Sequence, residues 1–550
     1  MPAPVHREAQ TPALPRRQLL GLGAAALAAA WLPTGANAAD GWNAGDLLHL
    51  TPTASHDRLL IKASVRRPLA QPPRLLVDGR TGSAVVGVMT DRLGRFWRFD
   101  ARGLAAGTRH LLRIVDADGQ ALCDDWPLAN LPAPDAASEH LRLLAYTCAG
   151  GNDGMPIGGR STWLAMAARR RLLARGLGFA PHAVIANGDH IDWDQKTLDN
   201  KRVPRERIAA ARAAFGGELD LTLPMDHPRN AAIHQAVCDH QIAGLYGTAL
   251  RSTPAWFLTD DHDMFENDEF DDQIATLPAD DDGRVGAELT QRLSYPEFLP
   301  DANRPAWLPG SGIPGLAEGT NGCFGTLRDG RLLEAVLYDC RRDLDNKGRH
   351  ARVVPRWVED WLLARTRADN TAQFMHEPSL PFGYSSGKLG DWSPDRLDER
   401  QGKLVLDQAK DGWQSGWQAQ DQRLLAALGD QPRRAGLIVQ GDFHASAAGR
   451  IQRSMDLQLR QPVHTLMTGT LGTGDLGFPS AFRRVESMPS ATVTMDEALR
   501  PTEKNGFTMI DVTAQSITCR LFTWRPPQPL QDIDTMAPTL VYEIPRPRSA

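Results

Sequence analysis

Ala183-Val184-Ile185-Ala186-Asn187-Gly188-Asp189-His190-Ile191-Asp192 holds a short apolar run that reads as a buried strand. Two acids and an imidazole come directly after it. The same order recurs on both sides along the chain. Leu141–Tyr146 runs into Cys148, and Ala255–Leu258 into Asp260-Asp261-His262-Asp263. Leu332–Tyr338 runs into Asp339-Cys340-Arg341, Gln373–Met375 into His376, and Leu437–Val439 into Gly441-Asp442-Phe443-His444. Helix-like stretches lie between them at Ser161–Arg175, Arg229–Ala243, Pro355–Arg367 and Gln418–Leu428. Gly176 reads as a helix stop and Pro355 as a first helical residue. Alternating strands and helices predict an α/β layered fold from Leu141 to the C-terminus. Ligands in such folds bind beyond the carboxyl ends of the strands. Six strands would therefore deliver acids, imidazoles and a thiol to one edge. Crowded carboxylates repel unless a cation neutralises them, and a two-metal site resolves that repulsion.

Each piece alone has a plain explanation. Gly-Asp after a strand is a common turn. Asp260–Asp263 fits a solvated acidic loop, His376 a hydrogen-bonded core histidine, and Cys148 a buried apolar thiol. The succession of all of them along one chain carries the signal.

Residues 40–127 read differently. Leu59, Ile61, Ala63 and Val65 recur with a period of two. Arg95–Phe99 forms another strand candidate after the turn Asp91 to Gly94. Leu111–Val115 and Gln120–Cys123 flank Asp118-Gly119, a hairpin signal. These short strands predict a small β-sandwich of the immunoglobulin or fibronectin kind. Residues 128–140, with Leu131-Pro132-Ala133-Pro134-Asp135, read as a linker. Residues 1–38 read as an address. A twin-arginine pair, Arg16-Arg17, enters the apolar run Leu19 to Leu32, which is too short to span a bilayer comfortably. Ala36-Asn37-Ala38 supplies small residues for cleavage. That order predicts a twin-arginine signal peptide, the twin-arginine export machinery as a partner, and a periplasmic or secreted protein.

Composition excludes several classes. The 550 residues are 42% hydrophobic and 23% charged, as in a globular protein, and the length argues for more than one folding unit. The net charge of −5 gives no basic field for nucleic acid. Six cysteines are too few for a disulfide scaffold, although Cys323 and Cys340 are conceivable partners. No stretch after the signal is long and apolar enough to cross a membrane.

The motif order resembles the metallophosphoesterase superfamily and, within it, the PhoD-like alkaline phosphatases. Tyr146-Thr147-Cys148 resembles that family's first metal motif, with cysteine in place of Asp-x-His. Gly188-Asp189 resembles the bridging aspartate motif. Asp260-Asp261-His262-Asp263 with Asn267-Asp268 resembles the Asp-Asp-His-acid loop, and Gly441-Asp442-Phe443-His444 the closing Gly-x-x-His motif. The sequence departs from the family twice. Asp192 stands where a tyrosine is frequent, and His376 matches the superfamily's lone histidine better than the PhoD-like group.

The resemblance implies a fold of layered β-sheets with flanking helices. It also implies two metal ions: iron or calcium by the family, with manganese or zinc open because of Asp192. Asp189 would bridge them. Cys148, Asp192 and His444 would hold the first, and Asp261, His376 and Asp442 the second, supplemented by Asn267 or Asp268. A hydroxide between the cations would attack a phosphate ester. His262 would protonate the leaving alkoxide, Asp263 would orient that imidazole, and Arg341 would grip the phosphoryl group or form a surface salt bridge. The loop His376–Gln414, with Tyr384, Trp392 and Trp413, would form part of the substrate rim. The expected function is an exported phosphomonoesterase. A phosphodiesterase or phospholipase on the same site, a non-catalytic metal-binding protein, and a cysteine hydrolase using Cys148 remain as alternatives.

Overall fold

The apolar runs of the C-terminal part become the inner strands of two large sheets. A computed structural model of the chain describes residues 41–151, 156–157, 160–161, 163–192, 217, 219–220, 222–264, 282–299, 324–345, 348–387, 393–410, 412–474, 480 and 485–547. One sheet has six strands in the order Ala255–Leu258, Ala183–Asn187, His140–Thr147, Asn505–Thr513, Ser516–Trp524 and Leu540–Pro545. Its first three strands are parallel, with Asn187 opposite both Thr147 and Leu258. The other sheet has seven, in the order Phe324–Asp329, Leu333–Tyr338, Gln373–Pro378, Gly436–Gln440, Leu457–Thr468, Ser446–Ser454 and Val493–Thr502. Its strands from Leu333–Tyr338 through Leu457–Thr468 run parallel.

Alternation along each strand assigns its two faces. Leu143, Ala145, Ile185 and Leu258 join Leu337, Met375, Leu437 and Val439 in one core between the sheets. The intervening residues Leu144, Tyr146, Val184 and Ala186 pack with residues of helices Met166–Leu177, Pro228–Val237 and Asp282–Ser294. Val336, Phe374 and Ile438 pack with helices Arg356–Arg367 and Ser415–Gly429. The result is helix, sheet, sheet, helix. Strands buried on both faces explain why these runs are continuously apolar.

Two four-stranded antiparallel sheets precede this body. One is ordered Leu47–Ala54, Arg58–Val65, Phe96–Arg102, Val88–Met89; the other Arg80–Val86, Arg74–Val77, Arg109–Val115, Trp126–Ala129. At Asp118-Gly119 the chain turns back on itself as expected: Asp116 N donates to Gln120 O and Leu122 N to Ile114 O, both at 2.9 Å, with Val115 and Ala121 forming a short antiparallel bridge. The strand Arg109–Val115 also pairs with Trp126–Ala129. The first sheet meets the large body through buried charge. Glu297 accepts Arg98 Nε at 2.7 Å and lies 3.6 Å from Lys62 Nζ, all three side chains being nearly or fully buried.

Three local expectations change. The helix expected over Ser161–Arg175 starts at Met166 and runs through Gly176, where a Cβ would lie 2.8 Å from Leu144 Cδ1. That glycine serves close packing, not termination. The helix expected over Arg229–Ala243 is α-helical only to Val237 and continues as a π-helix, Cys238–Ala243. The strand expected to end at Met375 runs on to Pro378. Residues 1–40, which hold the expected signal, lie outside the described residues. Among the described residues, no helix is long and apolar enough to cross a membrane.

Candidate metal centre

The strand ends turn sharply, and the turning residues are the polar ones. Cys148, Asp189, Asp442 and His444 have φ of 47°, 54°, 69° and 48°. A residue with a side chain is disfavoured there, and such strain clusters at functional sites. The strand ends are packed too tightly for wider turns. Cys148 N donates to Gly188 O at 3.0 Å, and Asp442 N to Thr147 Oγ1 at 3.2 Å. A Cβ on Gly441 would lie 2.3 Å from Thr147 Oγ1, so only glycine fits between the sheets at that point.

These turns gather three sets of ligand atoms, each within 4.8 Å of one another: Cys148 with Asp189 and His444, Asp189 with Asp261 and His262, and Asp260 with Asp261 and Asp442. Asp189 belongs to two sets and Asp261 to two. Asp189 Oδ1 and Asp260 Oδ2 are buried with no hydrogen-bond partner among the described residues. Burial and the neighbouring Asp261 push the Asp189 carboxyl well above its ordinary range. Burial does the same to Asp260, with Arg341 opposing it. Burial and the Asp189 carboxylate push the Cys148 thiol up. A protein without cations would hold these groups protonated at a cost. Thiolate, imidazole and carboxylate are a donor set that fits borderline transition metals, and the carboxylate group fits a harder cation.

Other expected site residues take different places. His376 lies inside the longer strand and on its helix-facing side. Its Nδ1 meets Tyr338 OH at 3.0 Å and its Nε2 meets Thr366 Oγ1 at 2.8 Å. Both ring nitrogens are thus engaged, and burial lowers its pKa to about 3. It is a core histidine and not a metal ligand. Asp263 does not orient His262. Its carboxylate accepts Asp189 N at 2.7 Å, His190 N at 2.9 Å, Ile191 N at 3.2 Å and Asp260 N at 2.9 Å, and also Tyr295 OH. Asp263 therefore pins the loop that carries Asp189. Asp192 falls outside the three ligand sets and lies beside His262 instead, with Oδ1 3.8 Å from Nδ1. Arg341 donates from Nε to Asp260 at 2.6 Å, and its Nη2 is 3.7 Å from Asp442 Oδ1. It is no surface salt bridge, because its side chain is 5% exposed.

Asn267, Asp268, Trp392 and Cys323 lie outside the described residues. Tyr384 is fully buried beside Phe443 and Ala445, so it supports the Asp442–His444 turn and is not at a rim. Cys340 is buried and forms no bridge among the described residues. Asp260 is the ligand candidate that the sequence pattern does not single out. It stands as the first acid of its loop, and nothing in a sequence says that two adjacent acids both turn inward.

Asp263→Ala should leave its backbone N–H groups without an acceptor. Each buried orphan costs about 1–3 kcal/mol. The expected result is a fall in the urea midpoint at unchanged slope. An unchanged midpoint would contradict the assigned role.

No protein-family model and no curated protein sequence matches the chain. Solved structures do. The chain is similar to PhoD, with a TM-score of 0.58 and 13% identity over 91% of this chain and 90% of that one. It is also similar to a purple acid phosphatase from yellow lupin (Lupinus luteus) seeds, with a TM-score of 0.50 and 9% identity over 91% of this chain and 74% of that one. The chain therefore shares the overall fold of PhoD and of the purple acid phosphatase, with a β-rich region at its N-terminal end.

Proposed function

We infer that the chain is an exported, metal-dependent phosphoric ester hydrolase, foremost a phosphomonoesterase of the alkaline phosphatase type. One observation carries the reading: two ligand sets share Asp189 at the sheet edge of a fold found in PhoD and purple acid phosphatase. Metal ions bound there supply Lewis-acid activation of water and of a phosphoryl oxygen.

The chain's own residues divide the remaining work. Asp189 is the carboxylate common to both positions. Cys148 and His444 complete one position; Asp261 lies in the other set that contains Asp189, and Asp260 and Asp442 group with Asp261 beside it. His262 holds a proton for the departing alkoxide, with Asp192 Oδ1 3.8 Å from its Nδ1. Arg341 lies against the same carboxylates and brings its guanidinium to a phosphoryl oxygen bound among them. Asp263 and Tyr295 keep the Asp189 loop in register. The resemblance to PhoD-like phosphatases favours iron with calcium, and the absence of a tyrosine at Asp192 leaves manganese and zinc open.

The test is hydrolysis of a phosphate monoester and a phosphate diester by the purified full chain. Faster turnover of the monoester supports the reading, and faster turnover of the diester replaces it with a phosphodiesterase. Export rests on Arg16-Arg17 ahead of the apolar run. The double variant Arg16→Lys with Arg17→Lys should stay in the cytoplasm in a fractionation experiment, and periplasmic delivery as in the wild type would refute it.

A further inference from the structure

Two loops carry Cys148 and Asp189, two of the three candidate ligands on the thiolate side of the centre, and their described residues run side by side. Cys148 N donates to Gly188 O at 3.0 Å and Gly150 N to Asp189 O at 2.7 Å. A Cβ on Gly150 would lie 2.8 Å from Asp192 N and 2.9 Å from Asp189 O, so the approach is as close as backbone allows. Next to these bonds, one side chain links the two loops. Gln241 Oε1 accepts Gly151 N at 2.7 Å and Asp192 N at 2.8 Å, and its Nε2 donates to Asp192 O at 2.9 Å. Gln241 is 1% exposed. It projects from the π-helix Cys238–Ala243, and such wide turns are frequent at functional sites.

The other side of the Cys148 loop is also fixed. Arg169 is fully buried. Its Nε donates to Leu164 O at 2.6 Å, and its Nη1 to Gly151 O at 2.8 Å, Gly150 O at 3.0 Å and Ala149 O at 3.3 Å. The loop is thus held at its carbonyls by Arg169 and at the Gly151 N–H by Gln241 Oε1. Gln241 also holds the second loop.

We propose that Gln241 is a positioning residue that sets the spacing between the Cys148 loop and the Asp189–Asp192 loop, and through it the fit of the thiolate position to its cation. Gln241 bonds to backbone atoms of the two loops and acts through Gly151 and Asp192. The proposal deepens the metal-centre reading and rests on it. Partners outside the ligand shell typically change metal affinity by about 10- to 100-fold when removed.

The experiment titrates the metal-free full chain with Co(II) and follows the thiolate-to-cobalt absorption, with thermal melting as a check on folding. The wild type should develop that band. Gln241→Met keeps the side-chain volume and deletes all three hydrogen bonds, so it should need about tenfold more Co(II). Gln241→Glu keeps acceptors for Gly151 N and Asp192 N and should recover most of the loss. A Gln241→Met protein that folds and titrates like the wild type overturns the proposal. So does one with weakened binding that Gln241→Glu fails to improve, because a general packing defect predicts no such rescue. If Gln241→Met does not fold, Gln241→Asn decides. It keeps the amide with one methylene less reach; about tenfold weaker binding supports the proposal and wild-type binding overturns it. No thiolate band in the wild type would refute the metal-centre reading itself, and this proposal with it.

Discussion

Asp189→Asn should remove both bound metal and activity. Asp189 is the carboxylate shared by the Cys148–His444 set and the Asp261–His262 set, so on the proposed reading its charge would compensate two cations at once. The neutral amide would leave their mutual repulsion uncompensated. Losing about 4 kcal/mol of transition-state stabilisation corresponds to about a thousandfold in rate. His444→Ala should act in the same direction, with the thiolate position affected first. A control separates this from misfolding. Burial and Asp261 raise the folded-state carboxyl of Asp189 above its unfolded value. The native metal-free protein therefore binds more protons than the unfolded chain, and its stability falls as pH rises from the ordinary carboxylate range through the raised value. Without metal, Asp189→Asn should then melt higher than the wild type at neutral pH, while with metal it should melt lower. Full metal content and full rate in the variant would show that the site is assigned to the wrong residues.

The second large effect is expected from His262→Ala. If His262 acts as the proposed leaving-group acid, it contributes a proton and not a metal bond, and metal content should stay near that of the wild type. The rate should fall by about 10²–10⁴, the usual worth of a positioned acid. The fall should be smaller for a nitrophenyl ester, whose leaving group departs without a proton, and largest for an alkyl ester. The geometry sharpens the test, because His262 also falls within ligand reach of Asp189 and Asp261. A metal ligand at this position would lose metal on substitution and slow all esters alike. An equal penalty with metal retained would place the ring on the phosphoryl group in ground and transition states. Asp192→Asn should reproduce a weaker form of the same ester dependence, since its Oδ1 lies 3.8 Å from His262 Nδ1.

The layered fold is legible because strands buried on both faces write continuous apolar runs, and because the polar residues just past a strand end are a separate signal from the strand itself. Cys148, Asp189, Asp261, Asp442 and His444 can be named that way, and the structure brings them together. His376 cannot. The strand carrying it runs to Pro378 rather than Met375, and three residues of strand turn a strand-end histidine into one buried between Tyr338 and Thr366. Apolar composition does not mark where a strand stops when its last residues are polar and buried. Asp263 stands out in the sequence, but its expected neighbour is the wrong one. Capping of backbone N–H groups from a loop some seventy residues earlier is a tertiary relation with no local sequence pattern. Gln241 has no signal at all. The π-helix that aims it reads in sequence as the end of an ordinary amphipathic helix.

Metal-dependent ester hydrolysis is the central claim. The direct measurement is elemental analysis of the purified full chain alongside phosphate-monoester turnover, before and after chelation and after metal is returned. The expected result is bound metal approaching two ions per chain, turnover that disappears with the metal, and turnover that returns with it. Turnover that persists in the fully chelated protein, or a metal-loaded protein that hydrolyses no phosphate ester, would contradict it.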